Sequence, residues 1–288
     1  MLSSGSINTM RIRTTQLITI ILLAILPAVT QAQSYPWLSG SSRRETVAER
    51  FMPPPGYSPV AVAPGSFARW LRDLPLKPEG SPVKLFDGRT KGNQKAQVAV
   101  VEIDVGSQDL QQCADAVIRL RAEYLYSRGL NDSIAFTFTS GDTASWRAWV
   151  NGQRPLVKGN QVTWQQSAAV DSTYQNFKQY LKTVFMYAGT ISLLKDSSPK
   201  WSICDIAAGD FFADPGSPGH AVLVVDVAED TTTGRKMFLL AQSYMPAQDV
   251  HILANPKDST VSPWYPCACE DRLITPEWTF SCDELRQF

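Results

Sequence analysis

The chain has 288 residues, of which 44% are hydrophobic, and its 27 Lys and Arg residues balance its 27 Asp and Glu residues. This balance gives no electrostatic reason to expect nucleic acid or an anionic membrane surface, so we predict no nucleic acid partner. The length and the hydrophobic content are ample for burying a substantial core.

The N-terminal segment has the pattern of a cleavable secretory signal. Arg11 and Arg13 precede an apolar run over residues 17–29, and Thr30 and Ala32 are small residues suited to a signal peptidase site. A membrane anchor is the alternative, but the run has 13 residues where a spanning helix needs roughly 20. We therefore predict a signal peptide over residues 1–32, a periplasmic or extracellular location, and no stable membrane anchor after cleavage.

The chain that follows the predicted signal is divided into an arm and one domain. Residues 33–60 are predicted to form an extended N-terminal arm, because three consecutive prolines follow Met52. Residues 61–288 are predicted to form a single domain that ends in a Cys-containing tail. Removal of residues 1–32 takes away Arg11 and Arg13 and no acidic residue, so this remaining chain is slightly acidic.

A strand and a helix are predicted in the first part of the domain. Residues 97–105 alternate as a strand, and a helix then begins with Ser107 as its N-cap and stops at Gly129. The apolar stripe of this helix comprises Leu110, Cys113, Val117, Leu120 and Tyr124. A charged row at i, i+4 spacing comprises Asp115, Arg119 and Glu123, and we interpret it as a salt-bridged, solvent-exposed face.

The middle of the chain predicts a second strand and a second helix. Residues 134–140 alternate between apolar and polar residues and predict a half-buried strand. A helix capped by Asp171 and ending at Gly189 follows. Its apolar stripe comprises Tyr174, Phe177, Leu181, Val184 and Phe185. The tryptophans of residues 141–169 are either core residues or part of a glycan-binding surface.

Two β-rich runs near the end of the domain predict an antiparallel hairpin. Residues 220–227 and 236–244 are separated by a short turn that contains Gly234. Together with the two helices, this hairpin indicates an α+β fold, in which at least two helices pack against an antiparallel sheet.

The two histidines limit where acid–base chemistry can occur. His220 opens a strand after a Gly-rich loop, and the return strand places Gln242 or Tyr244 where either could orient its imidazole. Cys113 lies near the start of a helix, where the helix dipole lowers a thiol pKa. We therefore assign Cys113, His220 and Gln242 as candidate catalytic residues. The role of His251, in a strand-like segment, stays open.

A structural role is the alternative for each candidate. Cys113 belongs to the apolar stripe of its helix, and buried cysteine is a common core residue. His220 could equally be a core histidine with satisfied hydrogen bonds. The cysteine count of five is odd, so in an oxidising compartment at least one thiol is unpaired within the monomer.

The pairing of the other cysteines is open at this point. A bridge between Cys269 and Cys282 is one option among those that also include Cys204 and Cys267. The spacing of Cys267 and Cys269 is not that of a zinc knuckle. We predict no metal site and no cofactor.

The order of these residues resembles that of NlpC-type papain-like cysteine peptidases. The matching positions are Cys113 in QCADAV, the Gly209-Asp210 pair, His220 in GHAVLVVD, and Gln242. The resemblance implies a papain-like fold and hydrolysis of amide or ester bonds, with a cell-wall peptide as substrate. The sequence departs from that family at Gln112, where those enzymes usually place an aspartate.

A more extensive resemblance is to the bacterial family named domain of unknown function 4846. The segments that carry it are DLQQCADAVIRLRAEYLY (109–126), YAGTISL (187–193), GDFF with SPGHAVLVVD (209–226), LLAQSYMPAQDVHIL (239–253), SPWY (262–265) and TPEW (275–278). This resemblance supplies no function. Two hypotheses therefore remain: an exported cysteine hydrolase, or a non-catalytic envelope protein that binds glycan or a protein partner.

Overall fold

The structure is a computed structural model that describes residues 44–268 and 272–288, together with Met1, Gly5, residues 35–38 and Gly40. The chain divides into two units, Met1–Gln31 and Ala32–Phe288. Apart from Met1 and Gly5, the predicted signal peptide lies outside the described residues. Within the described part, the helices are too short or too polar to cross a membrane.

The second unit contains both helices and strands. Its described helices are α1 (Val47–Arg50), α2 (Phe67–Arg72), α3 (Cys113–Ser127), α4 (Trp146–Val150), α5 (Tyr174–Tyr187) and α6 (Thr190–Lys195). Short 3₁₀ helices lie at Asn131–Ser133, Ile203–Asp205 and Cys282–Glu284. The first strands are β1 (Ser58–Pro59), β2 (Gln97–Val100), β3 (Ala135–Thr137), β4 (Thr143–Ser145), β5 (Gln153–Lys158), β6 (Gln161–Gln166) and β7 (Ser198–Pro199). The remaining strands are β8 (Phe211–Asp214), β9 (His220–Glu229), β10 (Lys236–Gln242), β11 (His251–Leu253), β12 (Tyr265–Pro266), β13 (Arg272–Ile274), β14 (Thr279–Ser281) and β15 (Leu285–Gln287).

An antiparallel sheet forms the centre of this unit. Its strand order is β2-β11-β10-β9-β8-β15-β7, with β1 paired to β9 and β12 paired to β10. The predicted hairpin is confirmed as β9 and β10, with Lys236 opposite Glu229 and a bulge between Leu239 and Leu240. The α+β fold class is therefore confirmed. Three two-stranded sheets, β3–β4, β5–β6 and β13–β14, accompany the central one in the described residues.

Alternation along β9 separates two hydrophobic cores. Ala221, Leu223 and Val225 face the larger core, which α3 and α5 cover. Val222 and Val224 face a smaller core on the other side of the sheet, together with the aromatic ring of Phe280 from β14. Because the side chains of a strand alternate between its two faces, this fully buried strand reads as a continuous apolar run.

Helix α3 begins later than the sequence predicts. The prediction of Ser107 as the N-cap is wrong, since the helix starts at Cys113 with Gln112 as its N-cap. The side chain of Asp115 accepts a hydrogen bond from the Gln112 backbone N–H at 3.0 Å, which fixes this start. Cys113 is therefore the first residue of the helix, while Gly129, with φ of 68°, ends it as predicted.

The charged row of α3 is buried, so its prediction as a solvent-exposed face is wrong. The exposed fractions of Asp115, Arg119 and Glu123 are 6%, 4% and 0%. Glu123 accepts a hydrogen bond from the Tyr174 hydroxyl of α5 at 2.7 Å. The guanidinium of Arg119 donates to Gln111 Oε1 at 2.6 Å. Spacing along one helix does not reveal that a second layer of structure covers it.

The second long helix also differs at its cap. The prediction of Asp171 as the N-cap of α5 is wrong, because the Thr173 side chain accepts the hydrogen bond from Asn176 N–H. Asp171 instead accepts from the backbone N–H of Thr173 at 2.8 Å. Both residue types satisfy free N–H groups at a helix start, and here the residue nearer the first turn occupies the cap.

Described residues of the predicted N-terminal arm pack on the domain. The Tyr35 hydroxyl donates to the Trp70 carbonyl at 2.9 Å, and Val47 is fully buried. Ser58 pairs with Glu229 at the end of β9. These contacts place the described parts of residues 33–60 in the same compact unit as the sheet.

A buried ion pair joins α2 to the sheet. Arg72 Nη2 lies 2.6 Å from Asp226 Oδ1 of β9, with side-chain exposures of 9% and 3%. The same guanidinium donates to the Val60 carbonyl at 2.8 Å. Asp226 also accepts from the backbone N–H of Val227, so both charged groups have several partners.

Candidate active site

His220 opens strand β9 at a position where the preceding residue must be glycine. A Cβ atom added to Gly219 would lie 2.5 Å from Thr190 Oγ1 and 2.7 Å from the Asp214 carbonyl oxygen. These distances are below van der Waals contact, so the loop can pass between β8 and α6 only without a side chain. The backbone that presents His220 is therefore held closely on both sides.

Three aromatic side chains surround the His220 ring. The rings of Tyr244, Trp278 and Phe280 lie 4.8, 5.2 and 5.7 Å from it, measured between centroids. Trp278 belongs to the turn of the β13–β14 hairpin, and its indole N–H donates to Asp214 at 3.1 Å. The C-terminal hairpin thus forms one wall around the imidazole.

Hydrogen bonds to Gln242 determine the tautomer of His220. Gln242 Nε2 donates to a Glu277 carboxylate oxygen at 2.8 Å, and this acceptor fixes the orientation of the amide. Gln242 Oε1 therefore faces His220 Nε2, at 2.8 Å, and accepts a hydrogen bond from the Nε2–H group. The proton on Nε2 leaves Nδ1 with a lone pair, and within the described structure this buried nitrogen has no hydrogen-bond partner. The predicted pairing of His220 with Gln242 is thus present, and Gln242 rather than Tyr244 makes the hydrogen bond.

Lys91 and Glu277 belong to this network but were not predicted from the sequence. Lys91 Nζ lies 2.6 Å from Glu277 Oε2, and the exposed fractions of the two side chains are 7% and 13%. Lys91 lies between α2 and β2, and Glu277 lies in the C-terminal hairpin turn, so no local pattern joins them. The segment TPEW (275–278) was the available signal for Glu277, but it pointed to a family and not to a role.

His251 lies beside the same network. Its Nδ1 donates to the Asp249 carbonyl at 2.8 Å, so Nε2 is the acceptor. Gln242 Nε2 approaches that nitrogen at 3.3 Å and Lys91 Nζ at 3.5 Å. Burial, and to a smaller extent the positive charge of Lys91, lower the pKa of His251 to about 3. His251 is therefore a neutral acceptor that helps to hold Gln242 and Lys91.

The sulfur of Cys113 lies against the backbone on both sides of His220. Cys113 Sγ is 3.8 Å from the Gly219 carbonyl oxygen, and it also accepts from the backbone N–H of Ala221. Burial raises the pKa of the Cys113 thiol to about 11, and the N–H groups of Ala221 and Ala114 oppose that rise. The thiol is therefore protonated at neutral pH, and nearby N–H donors stabilise any negative charge that develops on the sulfur.

The imidazole of His220 is neutral over the same pH range. Burial lowers the pKa of His220 to about 4, although the hydrogen bond that its Nε2 donates to Gln242 Oε1 partly opposes that fall. A neutral imidazole with a lone pair on Nδ1 can accept a proton from a nearby thiol. The Cys113 thiol and the His220 imidazole are thus both neutral at pH 7.

A groove of about 280 Å³ exposes the start of α3. Its lining includes Cys113, Gln112, Phe185, Thr190, Met245 and the loop of residues 216–219. Asp115 also lines the groove; burial raises the pKa of its carboxyl well above the usual range. Across the part of the chain that the structure describes, no group of three or more His, Cys, Asp or Glu side chains is arranged to hold a metal ion.

The comparison with known families concerns almost the whole of this unit. The model of a family described as Domain of unknown function (4846) matches residues 47–287. The chain belongs to this family. The matched range includes Cys113, His220, Gln242 and Glu277, so the complete network lies within the family domain. No curated protein and no solved structure matches the chain.

The lowered pKa of His220 predicts a defined loss of stability in acid. Between the unfolded value near 6.5 and the folded value of about 4, the unfolded chain binds a proton that the folded chain does not. Stability contributed by this neutral histidine therefore falls as the pH falls. We expect the difference in free energy of unfolding between the native chain and His220→Gln to shrink by about 2 kcal/mol from pH 7 to pH 4.5.

Urea unfolding of both proteins at the two pH values measures this change. The difference removes the contributions of buried carboxyl groups such as Asp115 and Glu123, whose pKa values burial raises and which act in the opposite direction. A difference that stays constant with pH would show that His220 titrates alike in the folded and unfolded chains.

Proposed function

We propose that this protein is a cysteine hydrolase that cleaves amide or ester bonds, with Cys113 as nucleophile, His220 as general base and acid, and Gln242 as the residue that orients His220. One observation carries the proposal. The Gln242–Glu277 hydrogen bond sets the His220 tautomer so that Nδ1 keeps its lone pair, and the residues on either side of His220 contact the Cys113 sulfur. Nucleophilic catalysis requires a base that is held by a polar partner and can reach the thiol. His220 Nδ1 has no hydrogen-bond partner in the described structure, so the proposed proton transfer requires the Cys113 sulfur and the imidazole to move into contact during attack.

The chemistry follows from the protonation states. As the Cys113 sulfur attacks the carbonyl carbon, His220 Nδ1 takes the thiol proton, so the thiolate forms only during attack. The Cys113 and Ala114 N–H groups in the first turn of α3, which face the sulfur, are the proposed donors for the oxygen that becomes negative during attack. His220 then gives the proton to the leaving amine or alcohol, and a thioester remains on Cys113. Water activated by His220 hydrolyses the thioester and restores the thiol.

A cell-wall peptide is the substrate class that we propose. Two observations support it: the order of Cys113, His220 and Gln242, which resembles that of NlpC-type peptidases, and the N-terminal pattern that predicts export to the periplasm or beyond. The groove beside Cys113, with its Gly-rich loop of residues 216–219, has room for a short extended peptide segment. Gln112 occupies the position of the aspartate usual in those enzymes.

Acylation of Cys113 by an activated ester tests this function. The experiment uses a Cys204→Ser, Cys267→Ser double variant, because these two thiols lie outside the groove and could react on their own. With p-nitrophenyl acetate at pH 7, we expect a burst of p-nitrophenol and an acetyl group on the peptide that contains Cys113. Adding Cys113→Ser to the same background is the matched control and should abolish the burst.

The opposite result is equally clear. If Cys113 stays unmodified in the folded protein but is acetylated after unfolding in urea, it is a core residue. The second hypothesis, a non-catalytic envelope protein that binds glycan or a protein partner, would then take the place of the hydrolase.

A further inference from the structure

Two cysteines that are distant in the sequence lie side by side in the structure. Cys204 is in the 3₁₀ helix Ile203–Asp205, which precedes β8, and Cys267 directly follows β12. Both thiols are free, whereas Cys282 is disulfide-bonded and Cys269 lies outside the described residues. Neither Cys204 nor Cys267 belongs to the groove beside Cys113.

Backbone contacts hold the two cysteines together through one lysine. The Cys267 N–H donates to the Lys236 carbonyl at 2.8 Å, and Lys236 Nζ donates to the Cys204 carbonyl at 2.8 Å. The Cys267 thiol donates to the carbonyl of Ile203, the neighbour of Cys204, at 2.8 Å. The Cys204 side chain also lies close enough to raise the pKa of the Cys267 thiol. The positions of both residues are therefore fixed by main-chain atoms of neighbouring elements.

We propose that Cys204 and Cys267 are an oxidisable pair that forms a second disulfide in this domain. The two thiols differ in a way that suits stepwise exchange. Cys204 is exposed and can meet an oxidant in solution. Cys267 is partly covered, and burial raises the pKa of its thiol to about 12, with the Lys236 ammonium opposing that rise. Cys204 is therefore the first thiol to react and Cys267 the second.

The two thiols are oxidised by a disulfide-containing oxidant, such as oxidised glutathione or a thiol–disulfide oxidoreductase, which accepts their electrons. The Cys204 thiolate attacks one sulfur of the oxidant, the oxidant's own S–S bond breaks, and one thiol leaves. Cys267 then loses its proton, attacks the Cys204 sulfur of the mixed disulfide, and releases the second thiol. One S–S bond forms in the protein, one breaks in the oxidant, and the oxidant gains two electrons and two protons.

The bond would anchor the C-terminal hairpin. Cys267 lies just before β13 and Cys282 just after β14, and the turn between these strands carries Glu277 and Trp278. Cys282 is already disulfide-bonded on the far side of the hairpin. A bond from Cys267 to Cys204 would connect the segment before β13 to the segment that leads into β8. This inference does not depend on hydrolysis by Cys113.

Counting thiols after oxidation tests the pair. The native chain is equilibrated with a mixture of oxidised and reduced glutathione, unfolded in acid, and alkylated with N-ethylmaleimide. We expect a single alkylated cysteine, Cys113, and a proteolytic fragment in which Cys204 and Cys267 are cross-linked. Reduction before alkylation should release the cross-linked fragment. In the Cys204→Ser variant we expect Cys267 and Cys113 to be alkylated, with the melting temperature lower by about 4–16 °C than that of the oxidised native chain.

Other outcomes would overturn the proposal. Alkylation of both Cys204 and Cys267 in the oxidised native chain would show that the two thiols cannot reach bonding geometry. A fragment in which either is joined to Cys113 or to Cys282 would assign a different pairing. The Cys113→Ser variant is the matched control, since it should keep the same cross-linked fragment with no alkylated cysteine.

Discussion

Replacement of His220 with alanine is expected to slow acylation of Cys113 by about 10²–10⁴-fold at pH 7. The reason is the thiol itself. Burial raises the pKa of the Cys113 thiol to about 11, so Cys113 carries very little thiolate at neutral pH. In the proposed mechanism it therefore depends on His220 to remove its proton. Stopped-flow measurement of the p-nitrophenol burst in the Cys204→Ser, Cys267→Ser background gives the rate.

The pH dependence separates a lost base from a damaged fold. In His220→Ala, the acylation rate should rise about tenfold for each pH unit between 7 and 10, because hydroxide then supplies the thiolate. With His220 present, the rate should vary much less over that range. Equal rates with and without His220 would exclude it as the base.

A conservative change beside His220 provides the control. Tyr244 packs edge-on against the imidazole, and its hydroxyl lies 3.5 Å from the Glu277 carbonyl oxygen, without a hydrogen bond to His220 in the described structure. Tyr244→Phe keeps the ring and should retain nearly the full acylation rate. A loss as large as that of His220→Ala would mean that packing around the ring, and not its lone pair, limits the rate.

Replacement of Arg72 with methionine is expected to lower the free energy of unfolding by about 3–5 kcal/mol. The change keeps much of the apolar stem but leaves the Asp226 carboxylate buried in β9 without its cation. Burial already raises the pKa of Asp226, and the guanidinium of Arg72 opposes that rise. Without Arg72, the folded state is destabilised because it buries the Asp226 carboxyl group without a cationic partner. Urea unfolding at pH 7 measures the loss.

The same helix supplies the matched control. Arg69 Nε lies 2.6 Å from Asp73 Oδ2, but its side chain is 49% exposed. An exposed pair of this kind is worth about 0.2–1 kcal/mol, so Arg69→Met should cost no more than that. Similar losses for the two variants would contradict the distinction between the buried pair and the exposed one.

The β9–β10 hairpin and the hydrogen bond between His220 and Gln242 could be predicted because both depend on residues that are close in the sequence. Alternating apolar residues and a short turn define β9 and β10, and the register of two neighbouring strands then places His220 near Gln242. Lys91 and Glu277 could not be found in this way. They come from opposite ends of the domain and meet only in the folded chain, so no spacing in the sequence relates them.

The start and the surroundings of α3 show a second limit. Ser107 is a good capping residue ahead of the apolar stripe, so the sequence predicts a helix start there. The residue types alone do not reveal that Asp115 accepts from the Gln112 N–H and fixes the start at Cys113. The i, i+4 row that contains Arg119 and Glu123 predicts a solvent-exposed face, because charged rows on helices usually face solvent. Its burial depends on α5, whose Tyr174 covers it from another part of the chain. Pattern identifies a helix, but not what packs on it.

The hairpin that carries Glu277 also bears on the order of events during biosynthesis. The ribosome makes Cys113 and His220 long before it makes Glu277, the acceptor that orients the Gln242 amide. A nascent chain that ends before the hairpin has the thiol and the imidazole but lacks the carboxylate that sets the imidazole tautomer. In the proposed mechanism, Cys113 would therefore gain an oriented base only after the hairpin with Glu277 has been made.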